Sequence, residues 1–160
     1  VSVVKSMVVL GSLLLVFAGS RPAIGAEAPV PGPKERCAVC GMFVAPYANW
    51  VSQVEFKDGS RLFFDGPKDM FIFFFDLPKY RSGAKAADIA AMFVTEYYST
   101  KVMNLREVFL VVGSDVMGPM GQELVPIAGR EQAETFLRDH GGKKIMQFNG
   151  AELTEVAAAQ

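Results

Sequence analysis

The chain has 160 residues, 51% of them hydrophobic and 21% charged, with a formal net charge of −1 and a pI near 5.9. That length carries one domain or two small half-domains sharing a core, and the apolar content excludes a disordered chain. The near-neutral balance leaves no basic surface for nucleic acid, so no DNA or RNA partner is expected.

At the N-terminus, Lys5 precedes an apolar run over residues 7–18 (MVVLGSLLLVFA), followed by the small-residue exit Ile24-Gly25-Ala26. The run is too short to span a bilayer comfortably and fits a secretory signal peptide over residues 1–26, cleaved after Ala26. The alternative is a retained segment, which would tether the protein to the inner membrane and is the one expected source of membrane contact. No cysteine follows the run closely enough to be lipidated. Export places the body in the periplasm or outside the cell, an oxidising compartment where a cysteine pair must be protected, metal-bound or a disulfide.

Residues 27–36 (EAPVPGPKER) read as a Pro-rich linker. Both cysteines then fall in Cys37-Ala38-Val39-Cys40-Gly41-Met42, within a loop ended by Pro46 and Asn49. Residues 50–56 (WVSQVEF) alternate as a strand, Lys57-Asp58-Gly59-Ser60 is a turn, and residues 61–64 (RLFF) return as the second arm of a hairpin. Asp65 is predicted to cap a helix with Pro67 in its first turn; Met70, Phe71, Phe73, Phe74 and Phe75 make it a packed helix rather than an amphipathic one. Residues 77–87 read as a loop, 89–98 as a strand and 99–107 as a connection.

The second half opens with the apolar strand 108–112 (VFLVV), followed by a second sulfur-bearing loop, Ser114-Asp115-Val116-Met117-Gly118-Pro119-Met120-Gly121. A strand over 123–127, an amphipathic helix over 130–140 stopped by Gly141-Gly142, and a last strand over 144–148 complete it. The order of elements repeats although the residues do not. The reading is therefore α+β: two ββαβ units, residues 37–98 and 99–150, with antiparallel sheets packed into one compact body, and a flexible tail over 151–160.

The C-x-x-C pair admits a disulfide, a thiol–disulfide redox centre, half of a zinc knuckle, or soft-metal ligation. Structural zinc needs a second cysteine pair or two histidines, and His140 is the only histidine. A thioredoxin-like centre needs the pair at a helix N-terminus, whereas this pair leads into Gly41 and a hairpin. A structural disulfide stays open. Cu(I) needs only two or three soft donors, and thiolates and thioethers are soft. Cys40 and Met120 are the leading pair, with Cys37, Met42 and Met117 as candidates for a third ligand. Methionines in a Gly/Pro-rich turn sit where turns lie, at the surface, rather than where core is filled. No catalytic triad, phosphate-cradling loop or pair of carboxylates at a defined spacing is evident, and no enzyme is expected.

In Cys40-Gly41-Met42, the hairpin and Phe-rich helix after it, Val111-Val112-Gly113-Ser114-Asp115, Gly118-Pro119-Met120-Gly121, Val125-Pro126 and His140-Gly141-Gly142, the chain resembles the NosL family over roughly residues 37–148. That resemblance implies a periplasmic Cu(I)-binding protein of two ββαβ units that delivers copper to nitrous oxide reductase, with the apo-reductase and other copper-transfer proteins as partners. It also implies Cys40 and Met120 as ligands. The chain departs from the family in lacking the N-terminal lipoprotein cysteine. It also lacks the histidine that many members carry shortly after Cys-Gly-Met, where this chain reads Phe43-Val44-Ala45-Pro46-Tyr47; Cys37, an extra cysteine relative to those members, is a candidate for that ligand's place.

Overall fold

The computed structural model describes residues 29–157. The expected export segment lies outside the described residues, and no described helix is long and apolar enough to cross a membrane.

The first half builds β1 (Ser52–Phe56), β2 (Arg61–Phe64), helix α1 (Pro67–Phe75), a short helix α2 (Leu77–Tyr80), β3 (Ile89–Thr95) and β4 (Val102–Asn104). The second builds β5 (Val108–Gly118), β6 (Gly121–Ala128), α3 (Arg130–Asp139), β7 (Lys144–Phe148) and β8 (Leu153–Val156). They form two four-stranded antiparallel sheets, ordered β2-β1-β3-β4 and β6-β5-β7-β8. The expected α+β architecture is present, and the strand order is the same in both halves: second, first, third, fourth.

Each half carries one strand more than ββαβ. β4 lies inside the stretch read as a connection, and β8 lies inside the stretch read as a tail. Both are edge strands of three or four residues, too short for alternation to show in sequence; a neighbouring strand supplies the hydrogen-bond partners that make them strands. A third difference is at the second sulfur loop, most of which is strand: β5 runs on to Gly118, with a register shift between Val112 and Met117 that absorbs Gly113 at φ 78°. Only Pro119 and Met120 form the turn, closed by the Gly118–Gly121 pair.

The two longer helices, α1 and α3, bury different fractions of themselves for a visible reason. α3 lies on one sheet and covers Val111, Val125, Ile127 and Ile145 with Ala133, Phe136 and Leu137, an i, i+3, i+4 stripe. α1 is wedged between the halves. Phe73 packs on Phe56 and Phe64 of the first sheet, with ring centroids 6.3 and 5.2 Å away, while Phe71 and Phe74 meet Phe148 of β7 at 5.5 and 5.1 Å. Two-sided contact accounts for the run of phenylalanines; Ile72 and Phe75 are the apolar residues of α1 left exposed. Hydrogen bonds also join the halves, from Tyr97 N–H to the Pro126 carbonyl at 2.9 Å and from Ala128 N–H to the buried Glu96 carboxylate at 3.3 Å.

Candidate metal centre

The cysteine loop is a miniature hairpin. Cys37 N–H donates to the Met42 carbonyl at 2.8 Å and Gly41 N–H to the Cys37 carbonyl at 3.0 Å, a reversal that uses Gly41 at φ 78°. Arg36 clamps it, donating to the Gly41 carbonyl at 2.8 Å while its guanidinium lies 3.9 Å over the Phe43 ring. The loop docks beside β2 through the Cys37–Phe63 bridge and the Ala38 N–H to Phe63 carbonyl bond. β2 ends one residue later, and the chain turns through Asp65 and Gly66 into α1.

This docking lays the thiols on the start of α1. Cys37 Sγ donates to Asp69 Oδ2 at 3.3 Å and Cys40 Sγ to Asp65 Oδ1 at 3.5 Å. One donor atom from each of Cys37, Cys40, Asp65 and Asp69 lies within 4.8 Å of all the others. Both cysteines are free thiols; Cys37 is buried and Cys40 exposed, and both aspartates are buried. Burial, then hydrogen bonding to a carboxylate, pushes the Cys37 thiol far above its ordinary value. Burial also raises the Cys40 thiol, with Asp69 and Asp65 adding to it. A neutral S–H facing a carboxylate is stabilised as a donor, and a thiolate there would face like charge. The metal-free cluster therefore holds its protons on sulfur.

Asp65 does not cap α1 as the sequence predicts. The N-cap is Gly66 in extended backbone, without a side-chain cap bond, so the Asp65 carboxylate turns to Cys40 instead. Nor is a carboxylate pair absent: Asp65, just ahead of the Gly66 N-cap, and Asp69, in the first turn of α1, stand four residues apart and meet at the thiol cluster. That spacing is the signal that would have found them.

The methionine turn reaches the same helix start from the other half. Lys68 Nζ donates to the Met120 carbonyl at 2.8 Å and the Gln122 carbonyl at 2.9 Å, and Lys68 N–H donates to Glu123 Oε1 at 2.6 Å. Met117 and Met120 are 57% and 48% exposed, unlike the core methionine Met70. Met42 is half-buried, and its carbonyl closes the cysteine loop. Of the five sulfur residues singled out from sequence, the structure puts Cys37 and Cys40 in one cluster. It mounts the turn that carries Met120 on the neighbouring residue of the same helix turn. His140 is elsewhere, stacked on Phe136 at 4.2 Å with Nδ1 2.9 Å from Asp115.

An α+β body with paired four-stranded sheets and a largely buried cluster of thiol and carboxylate donors, open at Cys40, defines the class: a small protein with the donor set of a metal site. The NosL family's sequence profile matches residues 31–156, and the chain belongs to the NosL family. Among solved structures it is similar to the copper chaperone NosL from Shewanella denitrificans, with a TM-score of 0.62 and 22% identity over 77% of this chain and 93% of that one. This likeness is one of fold. No curated protein matches the chain.

Proposed function

We propose that this chain is an exported Cu(I) metallochaperone that hands its ion to a cuproenzyme, without catalytic turnover. Its family, and the copper chaperone whose fold it shares, support that role. The observation that carries it is the arrangement around the start of α1: two free cysteines bonded to Asp65 and Asp69, and a turn held by Lys68 that carries the exposed Met120. Soft donors in that number favour a monovalent soft ion. Cys40 and Met120 are the principal ligands, with Cys37, Met42 or Met117 completing the set.

Binding must displace protons from sulfur, so affinity rises with pH, while a thioether binds without competing protons. A site mixing the two holds copper firmly and still releases it to a stronger thiolate or imidazole acceptor. The exposed Cys40, Met117 and Met120 give an acceptor protein direct access to the ion. The expected client is apo-nitrous oxide reductase in the periplasm.

A thiol–disulfide oxidoreductase is the weaker reading. Such enzymes lower a thiol pKa at a helix N-terminus, and here the carboxylates and burial raise both thiols. Titration of the reduced protein with Cu(I) against a chromophoric chelator should give one tight equivalent, weakened by Cys40→Ser and by Met120→Ala. Unchanged affinity in both variants rejects the ligand assignment.

A further inference from the structure

Asp65, just ahead of α1, and Lys68 and Asp69, in its first turn, divide the work at the helix start. Asp65 and Asp69 hold the two thiols, and Lys68 holds the methionine turn. The Lys68 attachment has two points. Its ammonium bridges the carbonyls of Met120 and Gln122, on either side of Gly121, at 2.8 and 2.9 Å. Its backbone N–H donates to Glu123 Oε1, which also accepts from Leu124 N–H at 2.9 Å. Glu123 is 5% exposed and reaches the helix start because Gly66 has no side chain: a Cβ there would lie 2.2 Å from Glu123 Oε2. The tip of the β5–β6 hairpin is thereby clasped to the helix start that carries both thiol acceptors.

The clasp acts on Met120 in particular. A two-residue turn at the end of a long hairpin is ordinarily the most mobile part of a fold. Here Pro119 locks its own φ and Lys68 pins the Met120 carbonyl, so the direction of the Met120 Cα–Cβ bond is set and only the thioether arm remains free. Residues that orient ligands without touching the ion commonly change metal affinity tenfold or more.

We propose that Lys68 is a positioning residue for copper: by holding the Met120 backbone against the helix start that carries the cysteine partners, it delivers the Met120 thioether to the ion. This inference rests on Met120 being a ligand, and the test separates the two. Selenomethionine-labelled full-length protein, loaded with one equivalent of Cu(I), is measured by X-ray absorption at the copper edge, where bound selenium scatters distinctly from sulfur. Cu(I) affinity is measured in parallel. Met120→Ala should lower the copper–selenium signal and the affinity; if neither changes, Met120 is not a ligand and the inference falls with that reading. Lys68→Leu keeps an apolar stem, adds no selenium and removes the ammonium. It should reduce copper–selenium scattering, keep copper–sulfur scattering, and weaken affinity by about 10- to 100-fold. Lys68→Arg, which can still span two carbonyls, should restore both. If Met120→Ala alters the site while Lys68→Leu leaves scattering and affinity intact, the positioning role is wrong, whatever happens to thermal stability. Should Lys68→Leu not fold, Lys68→Gln, too short to bridge both carbonyls, decides by the same readouts.

Discussion

Burial, reinforced by Asp65 and Asp69, sets the chemical state of the cysteines. Each carboxylate accepts from a thiol and each is buried, so the pair resists thiolate formation. Replacing Asp69 or Asp65 by Asn removes the charge that opposes the thiolate and supplies an amide that can donate to it. Thiolate absorbance followed against pH should then appear at lower pH in Asp69→Asn and Asp65→Asn than in the native protein; an unmoved or higher titration refutes this account. The same comparison separates the two cysteines. Cys37 is buried and Cys40 exposed, so an alkylating reagent should consume Cys40 first in the metal-free protein. The thiols were conspicuous in the sequence; their acceptors were not, because Asp65 beside Gly66-Pro67 has the pattern of an ordinary helix cap.

Among the elements, the join between α1 and the β5–β6 hairpin is set by Glu123. Burial pushes its carboxyl up to about 7 from 4.5, although the N–H groups of Leu124 and Lys68 favour the charged form. For an acid whose folded value is raised, the folded state binds the proton more tightly. The stability so contributed is complete below the unfolded value of 4.5 and is lost as pH rises through about 7. The melting temperature of the metal-free protein should therefore fall across that window. Glu123→Gln, neutral throughout and still able to accept both N–H bonds, should flatten the decline. An equal decline in the variant would place the titrating group elsewhere. Most of these elements were readable from periodicity, including the first hairpin, α1, α3 and β7. β4 and β8 were not, because a strand of three or four residues is recognised by its partner rather than by its own pattern.

In the molecule as a whole, α1 makes the two halves one unit. Its phenylalanines meet Phe56 and Phe64 in one sheet and Phe148 in the other, and one apolar cluster contains Val54, Phe73, Val108, Leu110 and Phe148 together. Removing Phe148 opens a cavity on the face of α1 that points to the second half, at a cost of about 3–5 kcal/mol. Denaturant unfolding of residues 27–160 should be a single transition that Phe148→Ala moves to lower denaturant without splitting it. Two separated transitions in the native protein would show halves that fold alone. In the proposed copper site the shared core would bring the parts together, since the cysteine loop belongs to one half and the methionine turn to the other.

By itself the sequence determined what depends on neighbours along the chain: the alternating strands, the packed helix and the amphipathic one, the doubled order of elements, and the two short stretches where the sulfurs gather. Covalent spacing and side-chain chemistry suffice for these. The tertiary structure alone decided which groups meet. Asp69 answers Cys37 across 32 positions, and the Lys68 ammonium answers the Met120 carbonyl across 52. Such pairings follow from burying α1 between two sheets, a packing that lowers the free energy of the whole chain and leaves no mark in any local stretch of it.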